Sequence, residues 1–306
     1  MDLEKIPEKL NLSDFPVGLG GCRISENSFD SCGYDVVVFD DKDGPNEIIS
    51  INDEIVVLHH GTFSETNSKK LLQYDGLQIL QDDSWELRMF LSKIKEKRPS
   101  LFTDFAKNSL IESMFCCQKT KDAVENSDDF ASCWQKCAAF YLADAITSLN
   151  KKRLGPTHML DSMRKFSKSS VNEHISVVTQ TVGIERATPV LLERMVKSTM
   201  GFSDMVEKNN HSQIIQKTHD YFVKNSMISD CYFYMGYLNK ENFIKIKNTL
   251  NRNQDLFHVL KTAFDIEADS NVLLQQADLI QNSCNVLLAS DNNSKSASTS
   301  NAVFST

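Results

Sequence analysis

The chain has 306 residues, 41% hydrophobic and 24% charged, with only 11 Gly and 6 Pro, which excludes collagenous, disulfide-framework and wholly disordered classes. No apolar run reaches the roughly 18–20 residues that span a bilayer, since Asp144 interrupts the longest, Cys137 to Ile146, and the acidic start Met1-Asp2-Leu3-Glu4-Lys5 lacks the pattern of a secretory signal. The net charge of −8 lies in the first third, where residues 1–100 hold 11 Lys+Arg against 19 Asp+Glu while residues 101–306 hold 22 against 22.

A cytoplasmic protein without membrane attachment is therefore expected. The acidic first third disfavours broad nucleic-acid binding and suits a metal site better. The eight cysteines read as reduced thiols, because their positions (22, 32, 116, 117, 133, 137, 231, 284) show no C-x-x-C pair. Cys133 and Cys137 share one helical face and are expected to be buried thiols.

In chain order, a helix is expected around Leu3 to Leu10. Short β-branched runs then predict strands at Tyr34 to Phe39, Glu47 to Ile51, Glu54 to His59 and Leu77 to Leu80, with a helix at Ser68 to Tyr74. Asp43-Gly44-Pro45-Asn46 and Asn52-Asp53 read as turns, which makes the middle strands an antiparallel meander. After Asp83 the period is helical. Ser84 is the expected N-cap of one helix, and Asp128 opens a long one with the stripe Phe130, Trp134, Cys137, Phe140-Tyr141, Ile146. Pro156-Thr157 and Thr188-Pro189 start two more. Further helical patterns cover 172–181, 211–226, 240–250, 254–265 and 270–288. The polar stretch from Ser290 reads as a disordered tail. The expectation is an α+β chain: a small mixed-sheet domain over 1–90, an all-helical domain over 91–289 and a tail over 290–306.

The most informative stretch is Val17-Gly18-Leu19-Gly20-Gly21-Cys22-Arg23, followed by Gly33-Tyr34-Asp35-Val36. Paired glycines let a backbone approach a phosphate, and a carboxylate opening the next strand can hold a cation beside it. A Rossmann fingerprint fails, because Arg23 stands where the third glycine belongs; a P-loop fails for want of Gly-Lys-Ser/Thr.

Over residues 15–90 this order resembles the nucleotidyltransferases of the DNA polymerase β superfamily. Their signature is a hydrophobic residue, Gly, and Gly or Ser, then an Asp-hydrophobic-Asp pair opening a strand. Leu19-Gly20-Gly21 fills the first part and Gly33-Tyr34-Asp35 stands at the pair. The resemblance implies a small nucleotidyltransferase-like mixed sheet followed by helices that complete a cleft. It implies a bound nucleoside triphosphate with magnesium, Gly20, Gly21 and Arg23 around the phosphates, and Asp35 as metal ligand and catalytic group. The reaction it implies is transfer of a nucleoside monophosphate to an unknown acceptor. Glu54 is the nearest candidate for a third carboxylate on the metal. The first carboxylate position holds Gly33, so a catalytically degenerate member, a nucleotide-sensing or protein-interaction module, is the rival.

Other residues carry two readings each. Asp30 is a loop former or a substitute ligand. His59 and His60 end a strand and point to opposite faces, so the inward one packs or replaces a carboxylate as ligand or base. Asp144 either forms a structural salt bridge or faces the cleft. The basic segment Lys151 to Lys168 is a solvated face or a phosphate contact, and the cluster Tyr232, Phe233, Tyr234 and Tyr237 is core packing or a base-stacking platform.

Overall fold

A computed structural model describes residues 3–25, 28–51, 54–207, 211–252, 256–267 and 269–300. Its elements are α1 (Ile6–Lys9), β1 (Val17–Gly20), β2 (Tyr34–Phe39), β3 (Glu47–Ile51), β4 (Glu54–Gly61), α2 (Ser68–Tyr74), β5 (Gln78–Gln81), α3 (Glu86–Glu125), α4 (Ala131–Leu149) and α5 (Pro156–Arg164). There follow α6 (Ile175–Val182), α7 (Pro189–Glu207), α8 (His211–Lys224), α9 (Ile228–Ile246), α10 (Leu256–Ala263) and α11 (Ser270–Ser300). The expected α+β class holds: a five-stranded mixed sheet precedes a long run of helices.

The sheet order is β3-β4-β2-β1-β5. The middle strands are not the expected meander. Only β3 and β4 form an antiparallel hairpin; β4 then lies parallel to β2, with Asp35 beside Val57 and Val37 beside His59. The turn residues predict that the chain reverses, but not which strand it returns to. β1 was legible only as a glycine loop, because two of its four residues are Gly, a poor strand former. Both glycines accommodate Leu77: a Cβ on Gly18 would lie 2.9 Å from Leu77 Cδ1, and one on Gly20 2.7 Å from Leu77 Cδ2.

Side chains alternate between two layers. Val17, Leu19, Val36, Val38, Val56 and Leu58 pack with Ile6 and Leu12 on one face. Val37 and Phe39 pack on the other with Leu72 and Tyr74 of α2 and with Leu87, Ile94, Leu101 and Phe102 of α3. Asp35, at the same parity as Val37, therefore opens onto the α2 side.

The boundary expected near residue 90 falls inside α3, a 40-residue helix about 60 Å long. Its first half covers the sheet; from Leu110 onward it joins the helical core. α4 is buried on nearly every side, so the expected stripe is the centre of a bundle. Tyr232, Phe233, Tyr234 and Tyr237 of α9 are buried core, not a stacking platform. α11 runs on to Ser300, into the stretch expected to be a disordered tail; no Gly or Pro interrupts it, and 301–306 lie outside the described residues. Among the described residues no helix is long and apolar enough to cross a membrane.

Candidate functional site

Antiparallel pairing of β1 with β2 sets Gly20 directly opposite Asp35. Gly21 follows at φ 86° and ψ 174°, a backbone region essentially confined to glycine. A Cβ at Gly21 would overlap Asp35 Oδ2. The glycine pair is thus split in role: Gly20 admits Leu77, and Gly21 turns the chain against the Asp35 carboxylate. Gly21→Ala should cost about 1–3 kcal/mol of stability and push the Asp35 carboxylate aside. Thermal unfolding of the variant checks the first effect and its crystal structure the second; unchanged stability together with an unmoved carboxylate would contradict this placement.

Parallel pairing of β2 with β4 brings His59 onto the same face, its Nε2 3.1 Å from Asp35 Oδ1. His60 points the other way, its Nδ1 2.9 Å from Asp40 Oδ1. The inward histidine therefore stands directly beside Asp35.

Glu54 is not at this centre. It has the opposite parity to Val57, so it projects from the other face, and its Oε1 accepts from Arg23 at 3.1 Å. Arg23 pairs with Glu54 and is not among the residues that line the cleft beside Asp35. Its guanidinium also donates to the Phe29 carbonyl at 3.3 Å and lies 5.9 Å from the Tyr34 ring centroid. Each of these two residues satisfies the other. Asp30 stands 3.9 Å from the same guanidinium and is 97% exposed, a surface contact rather than a substitute ligand.

Asp35, His59, Gly20 and Gly21 line a cleft of about 950 Å³ between the sheet, α2 and the segment before α5. Lys42, Lys69, Lys70 and Arg153 also border it, facing the acids Asp41, Asp43 and Glu65. Of the basic segment, Arg153 alone is a cleft residue among the described residues, donating to the Gln73 carbonyl at 3.0 Å. Arg164 is instead held by Asp230 at 2.8 Å.

Asp144 has a structural role. Its carboxylate accepts from Tyr237 at 2.7 Å and from Lys240 at 3.0 Å. Lys240 reaches Glu241 at 2.8 Å, and Glu241 accepts from Lys69 of the cleft at 3.1 Å. A chain of alternating charge thus runs from the buried Asp144–Lys240 pair in the helical core to the solvent-accessible cleft wall at Lys69.

Sequence spacing hid one further cluster. Cys22, Cys32 and His158 bring three ligand atoms within 4.8 Å of one another. The hydrogen bond from Cys22 holds the Cys32 thiol down at about 5 against the opposing effect of burial, and His158 Nε2 at 3.2 Å assists. Cys22 moves the other way, raised by that same bond and by burial.

No family model and no curated protein matches the chain. A solved structure, that of a nucleotidyltransferase-like protein from Exiguobacterium sibiricum 255-15, is similar at 11% identity and TM-score 0.30, over 72% of this chain and 90% of that one; a likeness of this size carries no argument.

Proposed function

We propose that the cleft binds a nucleoside triphosphate and that the protein is a catalytically degenerate, nucleotidyltransferase-like nucleotide-binding module. The observation that supports this reading is the company Asp35 keeps: its carboxylate meets Gly21 and His59, and among the described residues no second acid contacts it. Magnesium favours oxygen ligands and can be held by one carboxylate together with substrate phosphates. One such ion suits Asp35. A second does not, because Gly33 supplies no ligand and Glu54 faces away. When bound, the ion would neutralise phosphate charge. Lys69, Lys70 and Arg153 would add cationic contacts to the phosphate chain, and the backbone at Gly21 would allow its close approach.

A second reading, transfer of a nucleoside monophosphate to a hydroxyl or phosphate acceptor, draws on His59, whose imidazole could take the place of a carboxylate as base.

Thermal unfolding with each of the four nucleoside triphosphates, with and without magnesium, tests binding. A ligand at a hundred times its Kd adds about 2.7 kcal/mol to the native state, so at least one triphosphate should raise the midpoint, more so with magnesium. The absence of any rise with all four would remove the nucleotide reading. Incorporation of labelled nucleotide into an acceptor would favour transfer over binding alone.

A further inference from the structure

We propose that Cys22, Cys32 and His158 form a zinc site that clips the sheet domain to the helical domain. The site stands apart from the nucleotide reading and survives its failure.

Its geometry comes from three places in the chain. Cys22 follows Gly21 at the end of β1, Cys32 precedes β2, and His158 lies in the first turns of α5, 126 residues beyond Cys32. Their two sulfurs and one ring nitrogen all lie within 4.8 Å of one another. Zinc holds thiolate sulfur at about 2.3 Å and imidazole nitrogen at about 2.0 Å, which in a tetrahedron sets neighbouring ligand atoms roughly 3.5 Å apart. Cys32 Sγ and His158 Nε2 are 3.2 Å apart, so a small outward movement suffices.

The surroundings hold these ligands in place. Cys32 and His158 are buried, and the Phe29 amide donates to Cys32 Sγ at 3.4 Å. The Phe29 ring packs on His158 at 4.1 Å between centroids and stacks on Tyr221 of α8 at 5.1 Å, fixing the imidazole from the side. Two sulfurs and one imidazole select zinc over the hard cation suited to Asp35, since magnesium and calcium take oxygen. Three protein ligands leave the fourth position to water. Zinc holds both sulfurs as thiolates, so any proton still on them passes to solvent, with no change of oxidation state.

A simple thiol–imidazole pair would account for Cys32 with His158, but it does not require Cys22, which hydrogen-bonds Cys32 and brings a second sulfur to the same point. The other six cysteines differ in this respect: among the described residues no further group of three ligating side chains converges.

The test uses the full chain, purified with reductant and stripped of metal, and titrated with cobalt(II) alone. One equivalent should produce a thiolate-to-cobalt charge-transfer band and the strong visible bands of a tetrahedral site, and zinc should displace both. Cys22→Ser, Cys32→Ser and His158→Asn should each weaken binding by more than about 100-fold, beyond the 10–100-fold that loss of an outer-shell partner costs. Alkylation of the wild type followed by peptide mapping serves where a variant fails to fold: zinc should protect Cys22 and Cys32 from labelling. The proposal is overturned by the lack of a thiolate band in reduced protein, by a band that survives in folded Cys32→Ser and His158→Asn, or by undiminished labelling of Cys22 and Cys32 in the presence of zinc.

Discussion

Lys240→Met should remove about 3–5 kcal/mol of stability, the cost of breaking a buried ion pair from one side. Lys240 is fully buried and Asp144 has 4% of its side chain exposed, so the carboxylate left behind would keep only the Tyr237 hydroxyl. The ammonium also lies 4.3 Å from the ring centroids of both Tyr141 and Tyr237, and those contacts go with it. Asp144→Leu combined with Lys240→Met should recover much of the loss, because no unpaired buried charge then remains in the core. Urea unfolding of the single and double variants measures both quantities. A single variant as stable as the wild type would mean that the pair is not closed in the folded protein.

The same chain sets a pH dependence. Burial pushes Glu241 up, but Lys240 and Lys69 outweigh it and hold the carboxyl at about 2, against an ordinary value of 4.5. A carboxyl depressed on folding contributes stability that is complete above its unfolded pKa and is lost as pH falls through the folded one. The contribution of Glu241 should therefore be intact above pH 4.5 and fade toward pH 2. Glu241→Gln should flatten that part of the stability profile, and an unchanged acid limb would detach Glu241 from Lys240.

Local periodicity carried most of the element assignments, and long-range pairing carried almost none. β2, β3 and β4 are dense in Val and Ile, and their start points are legible residue by residue. Which strand lies beside which depends on contacts across the sheet, so the parallel return of β4 to β2 leaves no mark in either segment. The same limit divides the site. Gly21 and Asp35 are legible together because hairpin-like pairing of β1 with β2 sets nearby residues opposite each other. His59 reaches Asp35 only through the parallel pair, and Glu54 is lost from the site by strand parity, a property that needs the register. Asp144 with Lys240 and Cys32 with His158 lie 96 and 126 residues apart, beyond any spacing rule. A charged residue on an apolar helix face was the one available signal for the first. For the second, two isolated cysteines beside a glycine turn gave none.

Asp35→Asn has the largest expected effect on function. Asparagine matches the shape of aspartate but carries no charge, and the position is partly open, with 39% of the Asp35 side chain exposed, so the fold should survive. The amide oxygen can still meet His59, whereas a magnesium ion held there would lose the carboxylate charge of Asp35. Under the binding reading, the extra thermal stabilisation that magnesium gives a triphosphate should vanish, leaving the smaller shift due to Lys69, Lys70 and Arg153. Under the transfer reading, turnover should fall by roughly a hundredfold or more, the equivalent of several kcal/mol of charge stabilisation. A magnesium effect of wild-type size in the variant would show that the ion binds elsewhere and would sink both readings of Asp35. Gly33→Asp is the complementary change. A Cβ at Gly33 would lie 3.1 Å from the Ile55 carbonyl oxygen and 3.4 Å from Ile55 Cγ2, so β4 must yield by a few tenths of an ångström to admit the side chain. If Gly33→Asp folds and acquires nucleotide incorporation that the wild type lacks, the degenerate centre differs from an active one by that carboxylate. If it folds and stays inert while still binding triphosphate, His59 in place of an acid is the second obstacle, because a hard cation gains less from imidazole than from a carboxylate oxygen.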